Sequence, residues 1–476
     1  MRRHLLAALL LVLVGSASCY DPRVRARLGC GPNGECPGDL RCVDDVCGGQ
    51  PLDAGTPDAD LGPYELTVLR VGPSPGGVAT VNSVTAGIAC GTECVHSYDA
   101  GTQVTLRVTL ENGSGLRFAG WRGACAGIDT ECRLSMDGDR EVTAEFAAIT
   151  HNLAFVTRTS YNLRVLDQGA FDNDCNLSAS TAGINNATRD GFSAWVSDEF
   201  EGAREDLVAA SGWVRMDGLP FSATLTGLTS GHILNPLTID EGGRDVVALV
   251  VTGTDGDGSA ASHCTSWTGN GPVTMGRSTG GPTSWTSSAA PDCDTLLRAP
   301  VYCLQRTLRA ALVLAPRPSG ARRLFITRGS FSPGPGGLTG ADALCASESP
   351  TGSSVPFKAL LARNGQPAGT LLDPAMNYYS MSDQLIGSGR ELLDGVRLHT
   401  GIWQHGDGGF LSDATVAGRQ VRTGSARPSE TSQDCGGWTQ TTGTTAVGLA
   451  TDSATWWALP FGEPCATAMR IYCVEQ

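Results

Sequence analysis

Cysteine is the residue type in this chain whose spacing carries the most chemistry. The 17 cysteines fall as Cys19 alone and then four groups of four: Cys30, Cys36, Cys42, Cys47; Cys90, Cys94, Cys125, Cys132; Cys175, Cys264, Cys293, Cys303; and Cys345, Cys435, Cys465, Cys473. Thiols grouped in fours can hold zinc or form two crosslinks. Zinc sites built on cysteine usually carry short Cys-x-x-Cys pairs. None occurs here, so the spacing favours disulfides and an oxidising compartment. Cys90 with Cys94, and Cys125 with Cys132, are near enough in sequence for local staples. The other groups each admit three pairings.

Other reactive side chains are sparse. Beyond the first residues the histidines are His96, His151, His232, His263, His399 and His405, with no HExxH pattern. Only His399 and His405 lie loosely together. Gly-x-Ser-x-Gly occurs at Gly72-Pro-Ser74-Pro-Gly76 and Gly276-Arg-Ser278-Thr-Gly280. A nucleophile elbow needs a strand before the serine and a helix after it, and neither serine has them. Asp255-Gly-Asp257-Gly, with Asp240 and Glu241 upstream, is the best candidate for calcium. It lacks the third acidic position and closing Glu of an EF-hand, so a solvated turn is the favoured reading and no cofactor or metal is expected. The candidate ligand-loop residues are Asp255, Asp257, His263, Trp267 and Trp438. No catalytic residue is assigned.

The elements that must position these groups begin with an export signal. Residues 1–18 place Arg2, Arg3 and His4 before an apolar run from Leu5 to Val14 and a small-residue segment ending at Ser18. The run is too short to span a bilayer but suits a signal peptide. The segment looks like a bacterial lipoprotein signal with Cys19 as the lipidated residue. That resemblance accounts for the odd cysteine and implies attachment to a membrane through lipid, by expectation the outer membrane at the cell surface. A net charge of −14 argues against nucleic-acid partners, which demand a positive surface. The 62 glycines and a charged fraction of 17% favour short strands and many turns.

The expected organisation is multidomain. A small disulfide-rich motif occupies 19–47, similar to motifs in myxobacterial-type surface lipoproteins, and a Pro/Gly/Asp linker occupies 48–63. An all-β module follows at 64–148. Its segments Tyr64 to Val71, Gln103 to Leu110 and Glu141 to Phe146 alternate with period two. The stretches CGTEC, FAGWRGAC and CRLSMDGDREVTAEF resemble the divergent internalin-type B-repeat, which implies a spacer or adhesion stalk. Trp121 is read as core.

Residues 150–305 and 322–476 repeat each other across a linker at 306–321. Leu153-Ala-Phe-Val-Thr answers Leu324-Phe-Ile-Thr, Cys264-Thr-Ser-Trp-Thr answers Cys435-Gly-Gly-Trp-Thr, and Val301-Tyr-Cys answers Ile471-Tyr-Cys. The cysteine separations are 89, 29 and 10 against 90, 30 and 8. These motifs resemble endostatin and a bacterial endostatin-like family with the α+β C-type-lectin-like fold. The resemblance implies nested crosslinks: Cys175–Cys303 around Cys264–Cys293, and Cys345–Cys473 around Cys435–Cys465. The sugar-binding motifs of calcium-dependent lectins are absent. The resulting expectation is a non-enzymatic surface lipoprotein whose two lectin-like modules bind an extracellular carbohydrate or protein. An envelope-assembly role without a ligand pocket is the alternative, and a hydrolase ranks third. The polar stretch from Thr252 to Trp285 is expected to leave loop tips free for a ligand.

Overall fold

The computed structural model describes residues 28–30, 41–43, 46–48, 63–73, 78–111, 114–164, 169–184, 191–363, 365–412, 415–430 and 434–476. The expected signal segment, Cys19, Cys36, Ser74 and all of the expected 48–63 linker except Gly48 and Pro63 lie outside these residues. The chain divides into two units, Met1–Pro63 and Tyr64–Gln476. In the first, Leu28–Gly29, Val46–Gly48 and Arg41–Val43 form a three-stranded sheet in that order. Cys42 and Cys47 stand opposite each other in its register, and Cys30 is disulfide-bonded.

The second unit opens with two four-stranded sheets. One orders Val95–Tyr98, Tyr64–Val71, Arg140–Ala148 and Leu116–Gly123. The other orders Glu131–Ser135, Gln103–Leu110, Ala79–Ser83 and Ala89–Cys90. Alternation decides the faces: Val104, Leu106 and Val108 are buried while their neighbours are not. Trp121 lies in this core, its ring edge-on to Phe118 at 5.1 Å and its Nε1 donating to Asp129 O at 2.7 Å. Disulfides join Cys90 to Cys94 and Cys125 to Cys132.

The two copies follow with the same plan. In the first, Asn152–Val156 lies antiparallel to Tyr302–Gln305, with Phe155 opposite Cys303. In the second, Arg322–Ile326 lies antiparallel to Arg470–Glu475, with Phe325 opposite Cys473. Each opening strand also pairs in parallel with an inner strand, Ser211–Arg215 or Asn377–Tyr379. One helix per copy, Gly169–Thr181 or Gly337–Ser347, buries a cysteine at helical spacing from another buried residue: Phe171 with Cys175, Ala341 with Cys345. Those cysteines crosslink to Cys303 and Cys473, each over 128 residues. Constraining loops of that length in the unfolded chain is worth about 5 kcal/mol each. The inner crosslinks are Cys264–Cys293 and Cys435–Cys465.

Matching polar contacts account for two of the repeated motifs. The threonine after each opening strand accepts an amide of the closing segment: Val301 N to Thr157 Oγ1 at 2.9 Å, and Ile471 N to Thr327 Oγ1 at 3.1 Å. A helix aspartate accepts an amide from the neighbouring strand: Ala194 N to Asp172 at 2.7 Å, and Ala359 N to Asp342 at 3.0 Å. Gly276 and Gly448 are glycines for reasons of space, since a Cβ there would come within 1.8 Å of Trp285 O or 2.0 Å of Trp456 O.

The copies are not beads on a linker. They share one core that joins Trp195, Trp285 and Tyr302 to Trp403, Trp456 and Tyr472. The contact is nearly self-complementary. Gly281 N donates to Thr451 O at 2.7 Å, and Ser453 N answers with Thr279 O at 2.9 Å. These four residues are equivalent in pairs under the repeat, so the copies meet about a local pseudo-twofold axis. Trp403 Nε1 donates to Ile233 O at 2.8 Å, and Thr400 Oγ1 to Leu234 O at 2.6 Å. Arg277 and Asp452 pair across the junction at 3.2 Å, with the carboxylate buried. This corrects the expectation of free loop tips: the Thr279–Trp285 end of that polar stretch is buried against the other copy. Its hydroxyls and glycines serve the close approach of two backbones.

Candidate functional site

The candidate ligand loop of the first copy is shaped by its own hydrogen bonds. Thr254 and Ala260 close it as a bridge, and within it Asp255 N donates to Ser259 O at 2.9 Å. The Asp255 carboxylate accepts Gly256 N at 3.0 Å. The Asp257 carboxylate accepts both Ser259 N at 3.0 Å and Ser259 Oγ at 2.5 Å, which holds its pKa below the ordinary aspartate value. Both aspartates are exposed and act as turn formers. Asp240 is engaged elsewhere, by Arg158 at 2.9 Å and the amides of Gly242 and Arg244. Glu241 accepts Arg158 N at 3.0 Å, and burial raises its pKa. Among the described residues no three His, Cys, Asp or Glu side chains converge as a metal site would require.

His263 and Trp267 bracket an unusual turn. Cys264, Thr265, Ser266 and Trp267 all have positive φ, between 48° and 63°, making one turn of left-handed helix. Cys435, Gly436, Gly437 and Trp438 form the same turn in the second copy. His263 Nδ1 accepts Ser266 N at 2.8 Å and so caps the turn. Trp267 is 0% exposed and packs edge-on to Phe171 at 5.0 Å. Trp438 is 1% exposed, and its Nε1 donates to Ala362 O at 3.0 Å. Trp267 and Trp438 are therefore core residues, a correction to their place among the ligand-loop candidates. The left-handed turn directs each indole inward.

The remaining reactive candidates are spoken for. Ser278 is buried, its Oγ donating to Val246 O at 2.8 Å and accepting Ala248 N at 2.9 Å. His399 pairs with Glu391 at 3.3 Å. His405 is buried with Nδ1 2.9 Å from Ile326 O, and burial lowers its pKa.

A cleft that the sequence did not announce lies where the β module, the first copy and the inter-copy linker meet. It encloses about 270 Å³. Arg117, Ala148 and Ile149 border it from the β module, His151, Leu153, Val214, Arg215 and Pro220 from the first copy, and Leu312 and the exposed Val313 from the segment between the copies. Arg215 is satisfied by Asp217, at 3.1 Å from Nε, and by Pro236 O at 2.8 Å. His151 touches Thr150 Oγ1 at 3.0 Å and Ala311 O at 3.3 Å. The Arg117 guanidinium has no hydrogen-bond or ion-pair partner among the described residues, and burial lowers its pKa. Only three-dimensional assembly reveals this site, because its residues come from segments up to about two hundred positions apart.

Residues 78–150 match the family described as a divergent InlB B-repeat domain. The strand Tyr64–Val71 precedes that match yet pairs in parallel with Arg140–Ala148, so the folded module is longer than the matched segment. No curated protein matches the chain.

Proposed function

We propose that this chain is a cell-surface binding lipoprotein without enzymatic activity. In this reading lipid on Cys19 ties the protein to the membrane, and the B-repeat module serves as a spacer. The two following copies are C-type-lectin-like domains of the endostatin-like kind that recognise an extracellular carbohydrate or protein. The observation that carries the reading is the pair of nested-disulfide α+β copies fused about a pseudo-twofold axis, with Ser278, His263, His399 and His405 each engaged in structural contacts. Adjacent first and last strands, crosslinked over 128 residues, support the lectin-like assignment. A glycan and matrix-protein array probed with the full mature chain tests the binding role. Saturable signal on a restricted set of spots is the expected result, and silence throughout removes the proposal.

Burial of the Thr279–Trp285 stretch, part of the expected ligand loop, favours a second reading, an envelope-assembly protein without a ligand pocket. Deleting the gene would then weaken envelope integrity without altering adhesion. Hydrolase activity lost on Ser278→Ala or His263→Ala would replace both readings with an enzyme.

A further inference from the structure

We propose that the cleft between the B-repeat module and the first copy is a carboxylate-binding site that seats one acidic sugar residue on Arg117. The inference deepens the binding role proposed above and rests on it. Its starting point is an imbalance of charge. The chain carries a net charge of −14, yet none of the described residues bordering this cleft is an aspartate or glutamate. Three of them, Arg117, His151 and Arg215, are basic.

The three basic residues differ in what they have left to offer. Arg215 is neutralised by Asp217 and fixed by the Pro236 carbonyl. The His151 ring nitrogens are occupied by Thr150 and Ala311. Arg117 alone is uncommitted among the described residues, on a strand anchored to both partners: Ala147 faces it in the β module, and Ile184 of the first copy forms an isolated bridge with it. Half-buried guanidinium groups in folded proteins normally find a carboxylate or several carbonyls, because a cation drawn away from water without a partner costs free energy. A cation kept in that state is poised for an anion from outside, and a carboxylate matches its planar fork in two parallel hydrogen bonds.

Size and wall chemistry narrow the ligand. A cleft of 270 Å³ falls at the lower end of ligand pockets, room for one ring but not for a chain. Leu153, Val214, Pro220 and Leu312 give apolar surface against which the C–H face of a sugar ring can lie. The ligand is accordingly a terminal or branching uronic acid, with its remaining sugars left in solvent past the exposed Val313.

The test is calorimetric titration of the full chain with methyl glucuronide, the neutral methyl glucoside and an N-acetylated dipeptide acid. The glucuronide is expected to bind at least tenfold tighter than the glucoside, with a preference that falls as salt rises. Arg117→Gln should erase that preference, Arg117→Lys should keep part of it, and Arg133→Gln on the same module should leave it intact. Because Arg117 has no partner to lose among the described residues, the melting temperature of Arg117→Gln should match or exceed that of the parent chain. Equal affinity for all three ligands, or a preference that survives Arg117→Gln, overturns the proposal. Tighter binding of the dipeptide acid than of the glucuronide overturns the sugar assignment. Array signal that persists in Arg117→Gln discards the cleft and leaves the broader binding role standing, whereas silence of array and calorimeter together discards both.

Discussion

Thr265 and Ser266 pose a question about strain. Both sit in left-handed backbone at φ near 50°, where the second copy carries Gly436 and Gly437. A residue with a Cβ loses roughly 1–2 kcal/mol in that conformation, partly offset by the larger unfolded-state freedom of glycine. Replacing Thr265 and Ser266 together by glycine should therefore stabilise the chain by about 1 kcal/mol. A higher melting temperature is the expected readout, and a lower one would mean the side chains matter more than the backbone. His405 gives a pH prediction. Its folded pKa is depressed below the reference 6.5 by burial, so folding favours the neutral ring. Protons then bind the unfolded chain first as pH falls. The stability held above 6.5 is lost progressively between 6.5 and the lower folded value. His405→Gln should flatten the melting temperature across that window. The motif Phe-Val-Thr was legible in the sequence, but the job of its threonine, accepting an amide of the closing segment 144 residues away, was not.

Strands and helices reveal where pattern reading works. Period-two alternation marked Gln103–Leu110 because one face of that sheet is buried and the other is wet. The same reading fails for Asn152–Val156, which is buried on both faces and shows no alternation. The helix Gly169–Thr181 carries Asn, Asp, Ser and Gly in place of strong helix formers, so packing and crosslinking hold it more than propensity does. Asp342 belongs to the counterpart helix and bonds both the Ala359 amide and Arg363, the latter at 2.8 Å. Asp342→Ala should cost about 2 kcal/mol, since it strands a strand amide and a largely buried arginine. Denaturation of the variant checks this, and a loss under half that size would assign the helix–strand joint to the Cys345–Cys473 crosslink instead.

At the scale of the whole molecule the junction of the copies dominates. The repeat was plain in the sequence, while the mutual burial of its tryptophans was hidden: glycine, serine and threonine around Trp285 read as loop when they serve close backbone contact. The cleft was hidden for a related reason, since its members belong to three sequence regions with no shared motif. No disulfide among the described residues joins one copy to the other. A protease site engineered into the exposed 313–316 segment should thus yield halves that co-elute on a sizing column and part only in denaturant. Gly281→Val should separate them after the same cut, because a Cβ at 281 would come within 2.2 Å of the Trp403 ring. Co-elution of the Gly281→Val halves would show the junction to be more tolerant than its packing implies.

Threading both halves of a self-complementary pair onto one backbone takes concentration out of their equilibrium. Free subunits would drift apart in dilute surroundings, whereas tethered ones recapture each other however scarce the protein becomes. Each half is also released from the demand to match its twin: Thr-Ser can stand on one side and Gly-Gly on the other, a divergence that identical subunits never permit.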